Sequence, residues 1–304
     1  MGKKQEETRW YQSTAIEKST RLTAWVVEWF DNLMIKISLG LCLVAFARIS
    51  ITMMQLNVYS ARAILSLVSL TTFVYLFDRL LYDEEDEENY PSRVAFIKEY
   101  TPWLWGLAGV ALAVHLYIIG RWLLFPAMAS GAYTLAIQHT VGANVMLIAS
   151  LFYKPIKDRF LLNSAVVAIA WTGEILYLTV AFTGFGGISR PFLLLGGVWM
   201  CREIADVELA NVRDVEGDRQ ANKSTLATKF GASFAQHSVF GLDLLAFALL
   251  SFALGSFVPL VVMAAYLGIV YWLPKGSHMR LTLLAHVLSD LLALSLVSLL
   301  LWGG

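Results

Sequence analysis

Apolar residues run in long blocks along this chain, and each block ends in a short polar or charged stretch. A helix needs about 20 apolar residues to cross the hydrocarbon of a bilayer. About nine blocks of that order can be marked, at 33–57, 62–82, 101–119, 131–153, 163–183, 191–210, 236–254, 256–273 and 281–302. The stretch RWLLFPAMAS, at 121–130, fits none of them cleanly. It reads equally as a re-entrant piece, an interfacial helix or the start of the fourth span. Residues 1–32 are polar and then amphipathic, with Trp10, Trp25 and Trp29 available to an interface. The pattern therefore predicts an all-α, polytopic membrane protein: an amphipathic segment over 1–32, then one bundle of about nine transmembrane helices over 33–304.

Composition supports the same class. The chain is 58% hydrophobic and only 15% charged, with a mean hydropathy of +0.62, and a soluble domain carries more charge. Net charge is zero, which gives no electrostatic case for nucleic acid as a partner. Cys42 and Cys201 both lie in apolar blocks and suggest neither a disulfide framework nor a zinc site. The basic residues are more informative. With the N-terminus cytoplasmic, 18 of the 23 lysines and arginines fall in cytoplasmic segments. Arg62, Arg121 and Arg190 fall on the other side, and Arg48 and Arg202 fall inside spans. That asymmetry is the one expected of an integral membrane protein in this orientation.

The same topology puts two acidic clusters on the cytoplasmic side. FDRLLYDEEDEENYPSR (77–93) follows the second span, and NVRDVEGDR (211–219) follows the sixth. At 100° per residue, Asp214 and Asp218 share a helix face one turn apart, with Asn211 on a neighbouring line. Asp78, Tyr82 and Asp86 form a second stripe, flanked by Asp83 and Glu85. Two carboxylate stripes facing each other repel unless cations lie between them. Mg²⁺ takes such oxygen ligands, commonly a few carboxylates plus substrate phosphates, and Asn211 adds a neutral oxygen. Lys157 and Arg159 supply positive charge for a diphosphate, and Tyr153 a hydroxyl donor. For DEEDEE alone, plain solvated loop charge is an equally good reading. The tight spacing of NVRDVEGD argues against it there.

Ionisable residues inside spans need a reason. Glu174 is either a base or a buried partner for Arg48 or Arg202. Asp206 and Glu208 either extend the polar mouth or orient Arg202. His286 and Asp290, four apart on the last span, read as helix–helix polar contacts, as do Gln138 and His139.

NVRDVEGDRQANKSTLATKFG closely resembles the second aspartate motif of the UbiA superfamily of intramembrane prenyltransferases. YKPIKDRFLLN (153–163) resembles that family's Tyr/Lys loop. DRLLYDEEDEENYPSR resembles its first motif, with Asn89, Pro91 and Arg93 at the end. The first motif departs from the family pattern: Asp78 stands where Asn is usual and Tyr82 where Asp is usual, with Asp83 one residue along. The resemblance implies a Mg²⁺-dependent enzyme, two or more ions bridging carboxylates and substrate. It implies ligands among Asp78, Asp86, Asn211, Asp214 and Asp218, with Asp83 and Glu174 as further catalytic candidates. Tyr82, Arg93, Tyr153, Lys157, Arg159, Asn211 and Trp171 are then the substrate-binding candidates. The implied donor is an isoprenyl diphosphate of the geranylgeranyl or farnesyl class, and the acceptor a lipophile. Transfer to that acceptor and cyclisation of the prenyl chain on the same scaffold are the two reactions to separate. Ionising an allylic diphosphate calls for an apolar, aromatic-lined cavity, with Tyr75, Phe77, Trp171 and Tyr177 as candidates.

Overall fold

The computed structural model describes residues 39–82, 87, 91–153, 159, 162–184, 186, 189–220, 222–262 and 289–295. All regular structure among them is helical. Helix α1 spans Leu39–Gln55, α2 Ala61–Leu80 and α3 Pro91–Ile119. The chain continues through a π turn, Gly120–Leu124, into α4, Phe125–Ala129. Then come α5 (Tyr133–Gly142), α6 (Val145–Tyr153), α7 (Leu162–Thr183) and α8 (Arg190–Arg213). The short helices α9 (Val215–Gln220) and α10 (Leu226–Phe230) lead into α11, Ala232–Leu254.

Four stretches are long and apolar enough to cross a membrane: 61–80, 91–129, 162–183 and 232–254. A fifth is the pair α5–α6, whose halves are bent by 56°. The nine expected blocks are therefore only partly present as such. Residues 121–130 join the third span as a continuation of α3, while the fourth span is broken at Ala143–Asn144. The sixth, α8, is long enough but carries Arg202, Glu203, Asp206 and Glu208, too much charge for an ordinary spanning helix. Of the eighth and ninth, only residues 256–262, helical from 258, and 289–295 are described.

Burial explains the packing. On α3 the buried positions Val94, Ile97, Leu104, Ala108, Ala111, His115 and Ile118 recur at three- and four-residue steps, with one seven-residue step between Ile97 and Leu104, a single seam of the kind that pairs helices. That seam meets Phe73, Leu76 and Leu80 of α2. Ser66 Oγ and His115 Nδ1 share a hydrogen bond of 2.9 Å inside it. The rest of α3, including Trp103 at 79% exposure, faces outward as a lipid-bathed surface does. The main core joins α1, α2, α7, α8 and α11 around Ile49, Leu70, Trp171, Ile175 and Trp199.

Within that core sits a buried charge network. Arg48 of α1 binds Glu203, Asp206 at 2.6 Å and Asp290 at 2.9 Å. Arg202 binds Asp243 of α11 at 2.8 Å and Asp290 at 3.2 Å, and Ser289 at 3.1 Å. Guanidinium groups this deep are tolerated only when carboxylates surround them. The network thus fixes α1, α8, α11 and the 289–295 helix against one another.

Candidate active site

Two of the expected pairings are corrected by the structure. Glu174 partners neither Arg48 nor Arg202; it is fully buried and accepts from the Met146 amide at 3.2 Å. It thereby caps the first turn of α6 where the fourth span breaks, satisfying an amide that the broken helix leaves open. Asp206 pairs with Arg48 rather than orienting Arg202. Glu208 takes hydrogen bonds from Ser164 of α7 and from Asn211 Nδ2 at 3.3 Å. Asp290 joins the network, while its expected neighbour His286 lies outside the described residues.

The second motif keeps its expected spacing across a change of helix. Helix α8 ends at Arg213, and Asp214 is its cap. The Asp218 amide still donates to the Asp214 carbonyl at 2.9 Å, so one turn separates the two carboxyl groups. Asp214 is gripped by Arg213 at 2.6 and 2.9 Å. Asp218 is buried, with Lys223 Nζ 3.6 Å away. With its amide nitrogen on Glu208, Asn211 keeps its oxygen as the group to offer elsewhere. The tail STLATKFG has a structural task. Thr225 and Thr228 form a reciprocal capping box on α10, Thr228 Oγ1 donates to the Lys223 carbonyl at 2.9 Å, and Gly231, at φ 92°, turns the chain into α11.

At the first motif, α2 stops at Leu80, so the stripe through Tyr82 does not continue as helix. Tyr82 is half-buried against the α2–α3 cluster, with Lys98 Nζ 5.5 Å from its ring centroid. Asp78 is exposed on the last turn of α2. Arg79 beside it lies within electrostatic reach of Asp78, Arg93 and Arg213. That proximity sets the end of α2, the start of α3 and the end of α8 at one end of the bundle. One turn deeper, the Tyr75 hydroxyl accepts from Trp171 Nε1 at 3.1 Å, and the two rings are 5.8 Å apart. Phe77 instead stacks on Phe73 at 5.4 Å and meets Trp105 edge-on. Tyr177 shares a 2.8 Å hydrogen bond with His139.

Asp83, Asp86 and Lys157 lie outside the described residues, as does the side chain of Tyr153. Arg159 is exposed. Among the described residues no three His, Cys, Asp or Glu side chains converge on a metal-sized point. The donors that the second motif offers are carboxylate and amide oxygens, which suit a hard divalent cation. Sequence reasoning missed Arg79 and Lys223 as parts of this region, and named Glu208 as an extension of the polar mouth without its hold on Asn211. Their signals were slight: Arg79 directly follows Asp78, Glu208 precedes Asn211 by three residues, and Lys223 sits in the loop after Asp218.

Fold and site define a helical integral membrane protein with two oxygen-rich helix ends at one end of the bundle. A sequence model of the UbiA prenyltransferase family matches residues 118–282, over half of the chain, and the protein belongs to that family. Among curated protein sequences none matches. The chain is similar in structure to a UbiA homolog from Archaeoglobus fulgidus bound to GPP and Mg²⁺, with a TM-score of 0.58 at 15% identity, covering 88% of this chain and 98% of that one. The same coverage holds for a UbiA homolog from that organism bound to DMAPP and Mg²⁺, with a TM-score of 0.55 at 13% identity. At these identities the likeness is one of fold.

Proposed function

We propose that the protein is a Mg²⁺-dependent intramembrane prenyltransferase. It moves an isoprenyl group from its diphosphate to a lipophilic acceptor and releases pyrophosphate. The observation that carries this reading is the pair of carboxylates Asp214 and Asp218, one turn apart at the end of α8, with Asn211 held beside them by Glu208 and its amide oxygen left to offer. Family membership and the ligands of the solved homologs support it.

In this reading Asp78, Asp86, Asn211, Asp214 and Asp218 would hold the metal, with Asp83 as the substitute carboxylate in the first motif. The metal supplies charge neutralisation on the leaving pyrophosphate. Arg213 and Lys223, which hold Asp214 and Asp218 here, would supply positive charge to phosphate oxygens beside those carboxylates. Arg79, Arg93, Lys157 and Arg159 add positive charge, and Tyr153 a hydroxyl. Ser164 and Glu208 hold Asn211 in place. The Tyr75–Trp171 pair, one turn inside Asp78, walls the apolar side and keeps water from the allylic carbon. The allylic C–O bond breaks with its electron pair on pyrophosphate. The acceptor bonds to the freed carbon, and its proton is lost. The charged end and the N-terminal segment 1–32 are cytoplasmic, and residues 33–304 form one nine-span domain, on the distribution of basic residues.

Cyclisation is the second reading, favoured by the departure of the first motif, where α2 ends at Leu80 before Tyr82. Purified protein with Mg²⁺ and radiolabelled geranylgeranyl or farnesyl diphosphate, with and without a panel of lipophilic acceptors, separates the two. Prenylated acceptor is the expected product. A cyclised hydrocarbon or alcohol formed without acceptor establishes the second reading, and no pyrophosphate release with either donor refutes both.

A further inference from the structure

At the end of the bundle opposite Asp78, two arginines form no ion pair among the described residues. Arg62 sits at the start of α2, sixteen residues and about 24 Å of helix from Asp78. Its guanidinium carbon lies 3.5 Å from the ring centroid of Trp122 on the π turn. The guanidinium carbon of Arg121 lies 5.1 Å from the same centroid. Two cations thus share one indole, which is 40% exposed, and both arginine side chains are exposed. Among the described residues neither forms an ion pair. No Asp or Glu occurs in 39–77, 100–157, 175–202 or 244–289, so the loops at this end contain no side-chain carboxylate to offer. The N-terminal end of α2 adds its own partial positive charge beside Arg62. Two cations beside one indole, with no carboxylate in these loops, are open to an anion from outside the chain.

We infer that Arg62, Arg121 and Trp122 form a binding site for the phosphate of an anionic phospholipid. The setting fits a lipid. Trp122 is the residue type that lies at headgroup depth, and Leu65 and Phe125, 52% and 63% exposed, continue an apolar surface for acyl chains. Each guanidinium presents a planar fork that suits phosphate oxygens while its face stays on the indole. The site stands at the far end of the bundle from the proposed diphosphate site, so the two fail independently.

Native mass spectrometry of the full-length protein in detergent, titrated with dioleoyl phosphatidylglycerol or dioleoyl phosphatidylcholine, tests this. Wild type is expected to retain the anionic lipid in preference to the zwitterionic one. Arg62→Gln and Arg121→Gln should each weaken retention about fivefold, and the double variant roughly thirtyfold. The single variants guard against a folding defect in the pair. Arg190→Gln, at the same end, should leave retention unchanged, and millimolar glycerol phosphate should not displace the lipid. Equal phosphatidylglycerol retention by the double variant, equal retention of the two lipids by wild type, or displacement by glycerol phosphate would each overturn the inference.

Discussion

The side chains that matter most at the charged end are held by neighbours. Asn211 owes its orientation to Glu208, which is itself fixed by Ser164 across the α7–α8 contact. Ser164→Ala removes that donor, leaves the amide of Asn211 less constrained and is expected to lower turnover about tenfold. The fall should appear in kcat, with thermal stability changed little. Tyr82 is the opposite case. Its ring packs on the α2–α3 cluster and its face meets Lys98, so Tyr82→Phe should keep activity within about twofold and change stability by less than about 0.5 kcal/mol. These two residues also mark what could be read beforehand. The spacing of Asn211, Asp214 and Asp218 is local, so the sequence pattern revealed it. The end of α2 at Leu80 has no Pro or Gly to announce it, so a stripe drawn through Tyr82 looked sound.

At the scale of elements, the long apolar helices were legible to within a few residues, because hydrophobic run length reports directly on them. Expected 62–82 became Ala61–Leu80, and expected 163–183 became Leu162–Thr183. The partners of buried charges were not legible, since Arg48 and Asp290 are 242 residues apart and nothing local distinguishes one carboxylate from another. The network gives α8 its stability despite its charge. Arg48→Ala strands Glu203, Asp206 and part of Asp290, and should cost about 3–5 kcal/mol, measured by denaturant unfolding in mixed micelles. The break in the fourth span has its own geometry. A Cβ on Gly142 would lie 2.3 Å from the Tyr177 ring, so Gly142→Ala should destabilise by about 1–3 kcal/mol. Tyr177→Leu should recover most of that loss in a double-mutant cycle. Additive losses would mean that the two residues do not press on each other.

For the whole molecule, the two ends of the bundle have opposite characters. One end collects Asp78, Arg79, Arg93, Arg213, Asp214 and Asp218; the other has arginines and no carboxylate among its loops. An amphiphile with a charged head and a long hydrocarbon tail is matched by such a body, with its head at the acidic end and its tail among the helices. Apolar block length and composition gave the membrane class, and the resemblance of the motifs pointed to the family. The cations that hold the carboxylates are local, Arg213 beside Asp214 and Lys223 five residues after Asp218, whereas the approach of Arg79 and Arg93 to that end depends on three helices and was not legible. The most direct test of this arrangement is Mg²⁺-dependent pyrophosphate release from a prenyl diphosphate by purified wild type, Asp214→Ala and Asp218→Ala, with circular dichroism to verify the fold. The expected result is release by wild type that chelation abolishes, and a loss of at least about a hundredfold in each variant with helix content unchanged. Near-normal release by either folded variant would contradict it.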